Sequence, residues 1–222
     1  MKTFWDDEYK SNKHIWGERP SELAIATVRY LQKCELNKGI FSILDIGCGY
    51  GRDVFYFLDN LSCRILGIDI SQKAIEIASD TAFKTQKGDE VKFECCNFIE
   101  LKQGKYDLVF ISNLYQLLKR GEREELRKTI MRTLAPNGLL FLNTLSVRDP
   151  KHYGKGIPVS DESNSFQEKV YIHFCTREEL IEDFAFLNIK ELYEHEYYEP
   201  HANGEVHHHI SWILIGKYVG TS

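Results

Sequence analysis

The sequence predicts one α/β domain: a mostly parallel seven-stranded sheet with helices on both faces and an antiparallel hairpin at its C-terminal end. Three observations predict it. Short apolar runs of strand length alternate with helix-length amphipathic segments through most of the chain, the pattern of parallel strands joined by crossover helices. The links between them are short, with no internal repeat and no low-complexity segment. The last two strand-like runs instead follow one another through Pro200, Asn203 and Gly204, which is hairpin chemistry. With 222 residues, a single domain over 1–222 is the expected division.

Each element has its own signal. A helix begins after Pro20 and Ser21, because Ala24, Ile25, Val28 and Leu31 recur at helical spacing, and Gly39 marks its exit. Residues 41–46 are apolar and short, as a buried parallel strand should be. A glycine-rich turn leads to a helix carrying Val54, Phe55, Phe57 and Leu58. Residues 64–70 read as the second strand. Ser71 then caps a helix whose Ala74, Ile75, Ala78, Thr81 and Ala82 share a face. Strands follow at 91–95 and 106–111. A charged helix from about Glu122 turns Leu126, Ile130 and Leu134 inward until Pro136, Asn137 and Gly138 end it, and 139–145 is the fifth strand. Residues 148–170 break the pattern, being polar and rich in Gly, Pro, Ser and Asp, and are expected to form a lid loop. Thr176 to Glu179 is a capping box opening a helix with Leu180, Ile181, Phe184 and Leu187 inward. The final strands are 189–198 and 207–218.

Composition narrows the function. A net charge of −5 and a pI near 5.9 disfavour nucleic acid and anionic lipid, whose phosphates need a basic surface. No run approaches the ~20 apolar residues of a membrane helix, and the acidic, aromatic N-terminus lacks a secretion pattern. Six cysteines follow neither disulfide nor zinc spacing. Cys48, Cys95, Cys96 and Cys175 are expected to pack as small hydrophobes. The expectation is a cytoplasmic protein, monomer or homodimer, with a small-molecule partner.

The chemistry concentrates in residues 43–51. Gly47, Gly49 and Gly51 join a buried strand to its helix, where the backbone must turn sharply and approach a ligand. Asp69 stands about 20 residues past the loop, at the tip of the second strand, where a carboxylate accepts both hydroxyls of a ribose. The dinucleotide motif G-x-G-x-x-G is not matched, since the third glycine comes one residue early and Arg52 takes its place. Asp45 before the loop would repel a diphosphate and attract an ammonium. S-adenosylmethionine offers an ammonium, a sulfonium and no phosphate.

Residues 43–51 resemble the first motif of class I S-adenosylmethionine-dependent methyltransferases, whose sheet is Rossmann-like. Residues 65–71 resemble their second-strand motif, and 106–112 and 135–142 their fourth and fifth strands. Phe4, Trp5 and Asp6 with Trp16, Gly17, Pro20 and Ser21, the Gly51–Arg52 step, the segment 171–180 and the histidine-bearing final hairpin are similar to the tellurite-resistance and thiopurine methyltransferase group. The resemblance implies S-adenosylmethionine as cofactor, with Asp45, Gly47, Cys48, Gly49, Tyr50 and Gly51 at its methionine half and Asp69 at the ribose. It places Ile70 on the adenine, Asn97 and Phe98 at the adenine edge, and Ser112 and Asn113 below the sulfonium. The family usually has aspartate where Asn97 stands; an amide oxygen still accepts from the adenine amino group.

The acceptor is expected between the lid, the N-terminal arm (1–20) and the final hairpin, and a thiol, a metalloid oxyanion or another small polar metabolite suits these segments. Trp5, Tyr9 and Trp16 are expected either to pack or to fold over the cofactor. His207 and His209 share a strand face opposite His208. The outer pair, with Tyr153 and alongside His201 and His152, is the candidate catalytic group, and His208 the packing residue. No metal is expected there. A nicotinamide-dependent oxidoreductase and a non-catalytic S-adenosylmethionine-binding protein are the alternative readings.

Overall fold

Parallel strands buried on both faces need apolar side chains in both directions, and this chain supplies them where the sheet is deepest. The computed structural model describes residues 2–36, 39–101, 104–200 and 206–220. In chain order the elements are α1 (Lys2–Ser11), α2 (Glu22–Lys33), β1 (Phe41–Ile46), α3 (Arg52–Asn60), β2 (Cys63–Asp69), α4 (Gln72–Lys84), β3 (Val91–Cys95) and β4 (Tyr106–Ile111). After them come α5 (Arg120–Thr133), β5 (Leu134–Leu145), β6 (Ile157–Pro158), β7 (Ser165–Gln167), β8 (Tyr171–His173), α6 (Arg177–Asp183), β9 (Leu187–Pro200) and β10 (Val206–Tyr218). The main sheet runs β3-β2-β1-β4-β5-β10-β9, with β10 antiparallel to both neighbours and the rest parallel.

Side-chain alternation splits the core into two layers. Ile43, Leu108, Phe110, Phe141, Ile213 and Ile215 meet the buried sides of α2, α3 and α4. Leu44, Ile46, Val109, Ile111, Leu140, Leu142 and Leu214 meet α5 and α6. Asp45 therefore points to the α3 side of β1, the only charged residue of that strand. Ser21 and Ser71 cap α2 and α4, their hydroxyls accepting from the N–H groups of Ala24 and Ala74, each at 3.1 Å.

The structure departs from expectation in five places. The N-terminal segment forms α1, although it carries no apolar stripe; docking of Tyr9 against Tyr50 and α4 supplies what the pattern lacks. Residues 134–138 continue into β5 rather than separating helix from strand, because Leu134 pairs with Tyr106 across a register shift. The segment 148–170 is no plain loop: β6, β7 and β8 form a small antiparallel sheet around Tyr153, Phe166 and Phe174. At Thr176 only half the capping box forms. The hydroxyl accepts from Glu179 N–H at 3.2 Å, but the Glu179 carboxylate turns instead to His173 at 2.7 Å. In α6, Ile181 is exposed while Leu180 and Phe184 are fully buried. Of the turn assigned to Pro200, Asn203 and Gly204, Pro200 ends β9 opposite Val206, and Asn203 and Gly204, with His201, lie outside the described residues.

Candidate active site

Four adjacent parallel strands end at one edge of the sheet, and the residues just past their ends wall a cavity of about 440 Å³. The loop after β1 contributes Gly47, Cys48, Gly49 and Tyr50; the tip of β2 contributes Asp69 and Ile70. Asn97 and Phe98 follow β3, and Ser112 and Asn113 follow β4. This is the point where strand order reverses between β1 and β4, the usual ligand crevice of such sheets. Of the twelve residues expected at the cofactor, eleven line the cavity, and Gly51 stands behind them.

The glycines have separable reasons. Gly49, at φ 54°, lies under the arm: a Cβ there would sit 2.7 Å from the Tyr9 hydroxyl. Gly51, at φ 83°, begins α3 in the left-handed region, and its Cβ would meet the rings of Phe55 at 3.0 Å and Phe93 at 3.2 Å. The third glycine thus serves helix–sheet packing rather than ligand approach.

The floor of the cavity is acidic. Burial pushes the Asp45 carboxyl well above its ordinary 3.8, the carboxylates of Asp53 and Asp69 push it further, and Arg52 opposes them; no hydrogen bond from a described residue offsets this. Asp69 is raised by burial too, against hydrogen bonds that lower it. Its Oδ2 accepts from Gly49 N–H at 3.0 Å and its Oδ1 from Ser71 N–H at 2.8 Å. The strand-tip carboxylate is thereby both a cap and a preset acceptor, with lone pairs left on each oxygen. Asp53 holds the start of α2, accepting from Ser21 N–H and Oγ at 2.7 Å each.

Two further side chains are placed by distant partners. Asn113, at φ 55°, donates its N–H to Asn143 Oδ1 at 2.7 Å and accepts from Asn143 Nδ2 at 2.9 Å. Asn97 accepts from Ile99 N–H at 3.1 Å, so its amide oxygen is partly engaged before any adenine contact. The buried Ser112 Oγ has no hydrogen-bond partner among the described residues.

The arm closes the other side. Lys2, Trp5, Tyr9 and Trp16 line the cavity; Asp6 Oδ1 accepts from Ser71 Oγ at 2.7 Å and Lys73 N–H at 3.1 Å, capping α4. Arg52 donates to the Trp16 carbonyl at 2.7 Å, so the residue standing in for the dinucleotide glycine ties the arm down. Glu100, Glu122, Lys2, Leu117 and Leu118 line the mouth as well, and sequence reasoning missed them, since only the fold brings these loops together.

Of the candidate catalytic group, His209, His152 and Tyr153 do not line this cavity. His209 is buried on Asp149, and His208 is the half-exposed one, its Nε2 2.6 Å from Glu196 and its ring stacked on Tyr198. That reverses the expectation that His208 packs; the alternation is as predicted, but Asp149 folds back over the His209 face. His207 takes its place in β10 opposite Glu199, and its side chain lies outside what is described. Tyr153 donates to Asn164 at 3.0 Å and packs on Phe166 and Phe174 beside the small sheet of β6 to β8.

Comparison with known proteins agrees with this geometry. Residues 43–138 match the methyltransferase domain family. Over 145 residues the chain is 30% identical to 27-O-demethylrifamycin SV methyltransferase of Amycolatopsis mediterranei, covering 62% of this chain and 52% of that one. The chain thus spans about half the length of that curated relative. A structure solved for the conversion of a disulfide bond into a thioacetal group during echinomycin biosynthesis superposes with a TM-score of 0.74 at 21% identity, over 100% of this chain and 93% of that one. TehB from Haemophilus influenzae superposes with a TM-score of 0.65 at 15% identity, over 96% and 67%. The seven-stranded sheet that contains the matched residues has the Rossmann-like fold of these solved structures.

Proposed function

We propose that the protein is an enzyme that binds S-adenosylmethionine in this cavity and transfers its methyl group to a small-molecule acceptor. The observation that carries the reading is the acidic floor. Asp45, Asp53 and Asp69 surround the glycine loop, and a diphosphate would meet like charge there. A ligand with an ammonium, a sulfonium and a diol meets complementary charge and acceptors.

When bound, S-adenosylmethionine supplies a methyl group on a cationic sulfur, already activated for in-line displacement. What remains for the protein is alignment and exclusion of water. Asp69, fixed by Gly49 and Ser71, holds the ribose hydroxyls; Asp45 takes the ammonium; Ile70, Asn97 and Phe98 bound the adenine. Trp5, Tyr9 and Trp16 shut out solvent and turn π faces toward a cation. The acceptor sits on the side of β5 and β10, where His207 and His209 begin the antiparallel strand at the same sheet edge. The acceptor is a thiol, a metalloid oxyanion or another small polar metabolite, an oxyanion being drawn to the histidines of β10 and not to the acidic floor, and the relative that acts on 27-O-demethylrifamycin SV supports a small acceptor.

The test is calorimetric. Asp69→Ala should weaken S-adenosylmethionine binding by about 1.5–3 kcal/mol, the cost of losing hydrogen bonds to a charged acceptor. Unchanged affinity overturns the ribose assignment. A methyl-donor assay against thiols, amines, phenols and oxyanions should then yield one methylated class; binding with no turnover on any of them favours a non-catalytic binding protein instead.

A further inference from the structure

Away from the cavity, two histidines and an aspartate meet where the lid leaves β5. Asp149 lies four residues beyond that strand, with a side-chain exposure of 0%. Its Oδ1 accepts from the N–H groups of Lys151 at 3.1 Å and His152 at 2.8 Å, and its Oδ2 from Ile210 N–H at 3.1 Å. Three backbone donors thus fix the carboxylate. His152 Nδ1 stands 3.2 Å from Oδ1, and His209 Nδ1 3.2 Å from Oδ2. One ligand atom from each residue lies within 4.8 Å of the others.

These separations have a coordination meaning. Two ligands bound to a tetrahedral ion at about 2.0–2.1 Å are about 3.3 Å apart, which is the nitrogen–oxygen spacing found here. We propose that Asp149, His152 and His209 form a binding site for one divalent first-row transition ion, with zinc the best match.

The donor set selects the class. Two imidazole nitrogens and one carboxylate suit zinc, cobalt or nickel, whereas calcium and magnesium take oxygen ligands. Three protein ligands leave a position for water or another ligand, the pattern of an open site rather than a closed structural one. The carboxylate is held in place by backbone N–H groups of Lys151, His152 and Ile210, so it does not have to be ordered when an ion arrives. The rings are parallel within 3° with centroids 5.0 Å apart, so capture requires one imidazole to turn about χ2, a broad torsion. Each imidazole coordinates through Nδ1 as the neutral tautomer that carries its proton on Nε2. The His152 side chain is 24% exposed and offers the way in. The neighbouring group of His173, Cys175 and Glu179 is not equivalent, because both ring nitrogens of His173 are engaged, Nδ1 by Ser165 Oγ at 2.8 Å and Nε2 by Glu179 at 2.7 Å.

None of the three proposed ligands lines the cofactor cavity, so the two sites succeed or fail separately. The full chain, stripped with chelator and desalted, is titrated with zinc by calorimetry and with cobalt(II) by visible absorption. One equivalent should bind, with cobalt d–d bands and no thiolate charge-transfer band. Affinity should fall more than ~100-fold in His209→Gln and Asp149→Asn, beyond the cost of changing an outer-shell partner. His152→Gln, at the exposed ring, serves where Asp149→Asn fails to fold. Absence of stoichiometric uptake, undiminished binding in His209→Gln, or a thiolate band assigning the ion to cysteines overturns the site.

Discussion

Asp45 lies among carboxylates, and its raised pKa bears on stability as well as binding. The folded-state value is above 3.8, so between that pH and the folded value the native chain holds a proton that the unfolded chain has lost. Stability contributed by the protonated group is therefore lost as pH rises through that window. Asp45→Asn removes the charge and should stabilise the ligand-free protein at pH 7 by about 0.5–2 kcal/mol, the size of gain typical of relieved functional-site strain. Urea unfolding at pH 7 should show the gain, and it should vanish near pH 4; a destabilised variant at pH 7 contradicts the placement. The same substitution should weaken S-adenosylmethionine binding. Both aspartates were legible in the sequence because each sits next to a motif that fixes its position. Asn143 and Asp53 were not, since their partners Asn113 and Ser21 are 30 and 32 residues away and only the fold joins them.

At the scale of elements, the arm is the part whose role sequence left open. Its aromatic residues form α1, anchored by Asp6 on α4 and by Tyr9 over Gly49. The structure places these residues on the cavity and also packs them, so protection of α1 amides from hydrogen exchange should be present in the free protein and should rise when S-adenosylmethionine is added. Equal protection in both states contradicts a closing role. Gly49→Ala, whose Cβ would collide with the Tyr9 hydroxyl at 2.7 Å, should lower protection over residues 2–11 and weaken cofactor binding roughly tenfold, or about 1.4 kcal/mol. The strands β1, β3 and β4 were readable to the residue because buried parallel strands are short apolar runs. α1 and the short strands β6 to β8 were not, because their stability comes from tertiary contacts that leave no periodic trace. Of these, β6 has two residues and β7 and β8 three each.

Across the whole molecule, chain order and sheet order together set the site. Four parallel strands deliver their ends to one edge, the antiparallel β10 returns its beginning to that edge, and α1 covers it. The cavity concentrates Asp45, Asp53, Asp69, Glu100 and Glu122 against Lys2 and Arg52, and the chain as a whole carries −5. Such a site favours a cationic ligand over a polyanionic one. Raising salt should therefore weaken cofactor binding modestly, since the buried carboxylates are screened less than surface charges. The measurement that bears most directly on the central claim is calorimetric titration of the purified chain with S-adenosylmethionine and, in parallel, with a reduced nicotinamide dinucleotide. Stoichiometric binding of the first with no heat from the second is the predicted result. Binding of the dinucleotide without S-adenosylmethionine would contradict it.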